Sequence, residues 1–286
     1  MYPSSELVLN GKGQIYHLGV EPHQISDKII LVGDQDRVAQ ISAMFDATEH
    51  KSQHREFVCH TGNYHGKRIS VLSTGIGTDN IDIVVNELDA LVNIDLRKRV
   101  DKDTLTPLKM IRIGTCGILQ PEIPVHSYIL SSHALGLDNV AHFYAIPTDD
   151  NDEKIEKALL AHLELPAKIQ PYLISADAML FNALTSDKTH AGITVTSSGF
   201  YAPQGRKLRL PLATTDLNER LASFRYDALK VTNFEMESSA LFVLGKNLGH
   251  QCATICLGIA NRPNQEFSKG YDKEMDELIV YVLDRI

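Results

Sequence analysis

The chain has 286 residues, of which 43% are hydrophobic and 22% charged, enough for a large core in one α/β domain or two smaller ones. The formal net charge of −8 argues against general nucleic-acid binding, which needs a basic footprint, although a local arginine cluster can still hold one small anion. The four cysteines, Cys59, Cys116, Cys252 and Cys256, show no second pair at metal spacing, so reduced thiols are expected rather than zinc or a disulfide framework.

No apolar run approaches the about 18 residues of a membrane helix. The opening "MYPSSELVLNGKG" has no basic segment followed by an apolar one. A soluble, cytoplasmic protein with no membrane partner is expected.

Continuous apolar runs ending in small residues predict strands over 28–34, 67–75, 109–117, 128–134, 192–199 and 253–260. Helical patterns over 80–92, 151–164, 215–224, 236–248 and 271–286 alternate with them, and "DAMLFNAL" suggests a further helix inside 164–190. The polar stretch 97–107 reads as an exposed loop. This alternation predicts one α/β domain over 1–286, with a largely parallel or mixed sheet. Ligands in such sheets collect beyond the carboxyl ends of the strands. Here those ends read "VGDQDR", "STGIGTDN", "RIGTCG", "TSSGF" and "GIANR", rich in glycine, hydroxyls and arginine.

Arg112 interrupts an otherwise apolar strand, so it must be paired or bound to an anion. Thr115 follows with a hydroxyl donor. Arg37 stands after the Gly33 turn, where it either grips an anion or pairs with Asp34 or Asp36 at the surface. The glycines of "STGIGTDN" lead into a helix and expose backbone N–H groups; Asp79 is expected to cap that helix near Asn80. Arg55 is a further cation candidate. In "VTNFEMESSALF", Glu235 and Glu237 flank Met236 and run into an apolar helix, where they either cap its start or face a polar ligand. Gln204 and Arg206 in "FYAPQGR" offer paired donors and an acceptor, with Phe200 available to stack.

Taken in order, "GDQDRV", "STGIG…NEL", "RIGTCG", "FYAPQGR" and "NFEMESSALF" resemble the nucleoside phosphorylase family, over about Tyr16 to Arg262, and within it the uridine-cleaving members. The resemblance implies a single α/β domain around a mixed, partly barrel-like sheet flanked by helices. It also implies the reaction of a nucleoside with phosphate to give ribose 1-phosphate and free base. By resemblance, phosphate is held by Gly33, Arg37, Arg112, Thr115 and Arg55, the last from a neighbouring subunit. Ribose is held by Met236 and Glu237, with Glu235 shaping the site, and by His17 across a subunit interface. The base is read by Phe200, Gln204, Arg206 and Arg262. Arg112, Glu237 and Arg262 carry the catalytic burden in this scheme. Purine-cleaving relatives place an aspartate where this chain has Asn261, an amide that cannot protonate a leaving purine; a departing pyrimidine anion needs only stabilisation.

Several positions depart from the family. Val32 and Gln35 stand at the usual proline positions of the first loop, and "GIGTDN" lacks the proline and serine common there. The monovalent cation some relatives hold between subunits uses a glutamate matching Glu56 and a serine where this chain has Asn80. No metal or other cofactor is expected, and inorganic phosphate is a co-substrate. Shared sites imply a homo-oligomer, either a dimer or a hexamer of dimers. Rival readings are purine phosphorolysis, hydrolysis, and a non-catalytic nucleoside or phosphate sensor.

Overall fold

All six runs predicted as strands enter one twelve-stranded mixed sheet. The computed structural model describes residues 1–147 and 149–286. Its first half comprises β1 (Lys28–Val32), α1 (Gln35–Ser42), β2 (Ala47–His54), β3 (Phe57–Tyr64), β4 (Lys67–Ser73), α2 (Thr78–Asn93), β5 (Ile94–Asp95), β6 (Val100–Asp101), β7 (Lys109–Ile118) and β8 (Tyr128–Leu137). There follow α3 (Asp150–Leu163), β9 (Tyr172–Ser175), α4 (Ala178–Leu184), β10 (Thr189–Ser197), α5 (Leu217–Ser223) and β11 (Arg225–Tyr226). The chain continues through β12 (Leu229–Glu235), α6 (Ser238–Asn247), β13 (Gln251–Asn261), β14 (Glu266–Phe267) and α7 (Asp272–Leu283).

The strand order is β11-β12-β10-β8-β13-β7-β1-β4-β3-β2, with β9 beside β8 and β14 beside β13. A second contact of β12, antiparallel to β7, closes β7, β13, β8, β10 and β12 into a five-stranded barrel. Only two residue pairs make that closure, Asn233 with Ile118 and Phe234 with Gly117, both at the carboxyl ends of their strands. Register shifts in β10 (Gly192/Ile193 against β8, Ile193/Thr194 against β12) and in β13 (Gly258/Ala260) add the local bend that closure needs. The expected mixed, partly barrel-like sheet with flanking helices is what the chain forms.

Burial explains which helices face the sheet. α6 is buried along Ser238–Gly245, an all-round apolar pattern that fits only an interior helix. It packs with Ile81, Val84, Val85 and Leu88 of α2 in one core cluster. Each such side chain contributes roughly 1.5–3 kcal/mol on burial. A second cluster places Met275, Leu278, Ile279 and Val282 of α7 against Ile111, Ile113, Ile255 and Leu257 of the sheet.

One element lay outside the sequence expectations and one expectation changes. β2, in a stretch given no assignment from the sequence, is a largely exposed polar strand, "ATEHKSQH", at the sheet edge, where charged residues discourage further pairing. The helix after the glycines of "STGIGTDN" begins at Thr78 with Gly77 as its cap, so Asp79 lies exposed in the first turn and does not cap.

Candidate active site

A cleft of about 890 Å³ opens where the barrel closes. The ends of β1, β4, β7, β12 and β13 all reach it, so the residue types gathered at strand ends in the sequence meet in one place. Gly33, Arg37, Arg112, Thr115, Phe200, Gln204, Arg206, Glu235, Met236 and Glu237 all line it.

At its floor lies Arg112, projecting from β7 and only 5% exposed. One terminal nitrogen donates to Glu237 Oε2, and the other lies 3.6 Å from Glu235 Oε2 and 3.6 Å from Cys256 Sγ. Its Nε has no hydrogen-bond partner among the described residues. Burial alone would depress this guanidinium's pKa, but Glu237 and then Glu235 outweigh burial and hold it above the ordinary arginine value. The close approach depends on Gly114, where a Cβ would stand 2.1 Å from an Arg112 terminal nitrogen.

The two glutamates divide their labour. Glu235 ends β12 and accepts from the Glu237 and Ser238 amides, each at 2.9 Å, and from Thr196 Oγ1 at 2.5 Å. It therefore satisfies the first N–H groups of α6, the capping alternative of the sequence reading. Glu237 instead accepts from Arg112 and, at 2.8 Å, from the Gly77 amide. Burial pushes its carboxyl pKa up, Arg112 pulls it down, and Glu235 adds to the rise; the net direction is upward. Each Glu237 oxygen keeps acceptor capacity for a ligand hydroxyl.

Beside this pair, Arg37 lines the cleft from α1 with no ion pair or hydrogen bond among the described residues. The surface pairing with Asp34 or Asp36 does not form: Asp34 caps α1 by accepting from the Asp36 amide at 3.0 Å. Desolvation lowers the Arg37 pKa, and among the smaller influences Arg112 also lowers it, so two cations face the same space. Gly33 and Thr115 border that space with backbone and hydroxyl groups. Such a corner is suited to a small oxyanion.

The opposite end is built from a loop. Arg206 donates to Gln204 Oε1 at 2.5 Å and to the Phe200 carbonyl at 2.6 Å, and its guanidinium sits 3.8 Å from the Phe200 ring centre. Arg262 is not a lining residue, but its Cδ and an Arg206 terminal nitrogen would both lie 3.8 Å from a Cβ placed at Gly117. Desolvation first, then Arg262, pushes the Arg206 pKa down to about 10. Neither arginine meets a carboxylate among the described residues, and a terminal nitrogen of Arg262 is buried without a partner. These groups suit a ligand edge rich in carbonyl oxygens. Asn261 has both ends of its amide engaged, donating to the Gln120 and Ile123 carbonyls at 3.0 and 2.8 Å and accepting from the Asn264 amide.

Besides Arg262, two further expected residues stay outside this chain's own cleft. Arg55 sits on the β2–β3 turn at a φ of 55°, beside Tyr16, and His17 pairs with Glu87. Reading the sequence missed Thr196 and Cys256, which hold the charged groups in place, and Tyr271 and Phe267, which line the cleft. The glycine turn it did single out for its backbone N–H groups gives the Gly77 amide to Glu237 rather than to a free anion.

The profile of the Phosphorylase superfamily matches residues 27–283. The chain is similar to the uridine phosphorylase of Thermococcus kodakarensis, 31% identical over 279 residues that cover 96% of this chain and 87% of that protein. It also resembles a DeoD-type purine nucleoside phosphorylase of Oceanobacillus iheyensis, 28% identical over 84% of each chain. Among solved structures, the nucleoside phosphorylase of Trypanosoma brucei, described as showing uridine phosphorylase activity, superposes with a TM-score of 0.90 at 28% identity, covering 98% of this chain and 100% of that one.

Proposed function

The chain belongs to the phosphorylase superfamily, and on that premise we propose that it cleaves uridine with inorganic phosphate to uracil and ribose 1-phosphate. The observation that carries this reading is the juxtaposition of Arg37, unpaired among the described residues, with the Arg112–Glu237 pair at one end of a single cleft, opposite the Gln204–Arg206 pair.

In the proposed mechanism Arg37, Arg112, Thr115 and the Gly33 turn hold phosphate under C1′. Glu237 accepts the ribose 2′- and 3′-hydroxyls, and Met236 packs on the sugar. The C1′–N1 bond breaks with its electron pair passing to the base, and a phosphate oxygen bonds C1′ as oxocarbenium character develops. Charge on the departing uracil spreads to O2 and O4, where Gln204, Arg206 and Arg262 stabilise it. The phosphate proton reaches uracil N1 through solvent, so the reaction balances. Positioning and fixed charge supply the catalysis, and no protein nucleophile is needed.

Overall identity does not separate pyrimidine from purine substrates, since relatives of both kinds match at nearly 30%. Asn261 favours uridine: its amide is spent on backbone bonds, and the aspartate of purine-cleaving relatives is absent. Arg55 and His17 serve the cleft of a neighbouring copy in this scheme, so the active form is a homo-oligomer. Four free, buried cysteines fit a reducing cytoplasm; no helix among the described residues is long and apolar enough to cross a membrane.

Chromatography of uridine and inosine incubations, each with and without phosphate, tests the proposal. Uracil release that requires phosphate, with inosine largely spared, supports it. Release without phosphate indicates hydrolysis, preference for inosine a purine enzyme, and no release a sensor.

A further inference from the structure

Away from the cleft, Glu87 of α2 points its carboxylate at the turn that carries His17. It accepts the His17 amide at 3.0 and 3.1 Å, the Leu18 amide at 2.9 Å, and lies 2.6 Å from His17 Nδ1. The carboxylate already accepts from both backbone N–H groups, so it meets His17 Nδ1 as an acceptor as well. Nδ1 must then carry a hydrogen, and Nε2 is left with its lone pair to accept. His54 Nδ1 donates to the His17 carbonyl at 2.8 Å, bracing the same turn from β2. Tyr16 stands edge-on to the imidazole at 4.9 Å between centroids. No hydrogen bond engages His17 Nε2 among the described residues. Glu87 thus contacts both the backbone and the ring of His17 and sets the tautomer, with His54 and Tyr16 bracing the turn.

We propose that Glu87 is a positioning residue for ligand recognition: it fixes His17 as the Nδ1–H tautomer and aims Nε2 at the 5′-hydroxyl of a nucleoside bound in a neighbouring copy's cleft. This rests on the reading in which His17 serves that neighbouring site. The 5′-hydroxyl donates its hydrogen to the Nε2 lone pair, a bond that the other tautomer would not accept. Glu87 touches neither substrate nor phosphate. Its contribution therefore shows only in how the enzyme distinguishes a nucleoside that has the 5′-hydroxyl from one that lacks it.

The test compares kcat/KM for uridine and 5′-deoxyuridine in the full-length oligomer, as wild type and as Glu87→Gln, Glu87→Asp and His17→Ala. Wild type is expected to favour uridine by about tenfold, the value of one well-placed hydrogen bond. Glu87→Gln replaces one acceptor by a donor and should bring that ratio close to unity, as should His17→Ala. Glu87→Asp keeps the charge but withdraws the oxygens by a methylene and should fall between. A role confined to folding would slow both substrates equally and leave the ratio intact. A full preference retained by folded Glu87→Gln or Glu87→Asp would overturn the assignment. Efficient uridine phosphorolysis by a wild type indifferent to the 5′-hydroxyl would overturn it too, by removing His17 from the site while leaving the proposed reaction standing.

Discussion

At the floor of the cleft Arg112 is 5% exposed and held by two glutamates, whereas at the mouth Phe200 is 49% exposed and Arg206 leans on its ring. The floor comes from strand ends and a helix start, fixed by the barrel closure and by backbone amides. The mouth comes from the loop after β10, whose polar groups mostly bond one another. This difference separates two tasks. In the proposed reaction, phosphate and ribose, common to every nucleoside substrate, would meet preorganised charge at the buried floor, where it is strong. The base, which varies, would meet a segment that sequence change can alter without disturbing the core.

Substitutions at the two ends should therefore differ in kind. Arg112→Ala removes an anion donor and leaves Glu235 and Glu237 buried without their cation. Phosphorolysis should fall about 10²–10³-fold, and unfolding in denaturant should show a loss of about 3–5 kcal/mol. An active Arg112→Ala enzyme of ordinary stability would erase the contrast.

Glu237→Gln keeps the shape of the floor and removes one charge from it. Uridine KM should rise about tenfold or more, with phosphate KM little changed, as expected for loss of a charged acceptor. The same carboxyl gives a pH signature. Its pKa lies above the ordinary glutamate value because of burial, opposed by Arg112 and helped by Glu235. At saturating phosphate, uridine KM should climb as pH falls through a window above the usual carboxylate range, and Glu237→Gln should lose that dependence. Stability follows the opposite course: the native chain holds this proton more tightly than the unfolded chain. The Glu237 contribution is fully present below the ordinary glutamate pKa and is lost as pH rises through the raised one.

Smaller effects belong to the mouth. Arg206→Ala should cost about tenfold in kcat/KM for uridine and leave the thermal midpoint nearly unchanged. Phe200→Ala, at a half-exposed ring, should raise uridine KM about two- to fivefold with no loss of stability, as for a stacking contact worth about 1 kcal/mol. If either substitution unfolds the protein, the mouth is part of the core and the division fails.

Much of this plan was legible in the residues. The strands β1, β4, β7 and β13 announce themselves as continuous apolar runs, and Arg112 is conspicuous because it breaks one. The edge strand β2 was hidden because its side chains face water and carry no alternation; only its pairing with β3 makes it a strand. The separate duties of Glu235 and Glu237 were hidden for another reason. They depend on β12 ending at Glu235 and α6 starting at Ser238, a boundary that a period-based reading placed two residues too early. Thr196, Cys256 and Tyr271 come from distant segments and converge only through the sheet order, which local patterns do not encode.

The central claim, that the arginine corner delivers phosphate to C1′, is tested most directly by following inorganic phosphate itself. Phosphorus NMR of wild-type enzyme with uridine should show one phosphate consumed and one ribose 1-phosphate formed per uracil released, with both changes nearly abolished in Arg112→Ala. Uracil accumulating while the phosphate signal stays constant would contradict the account.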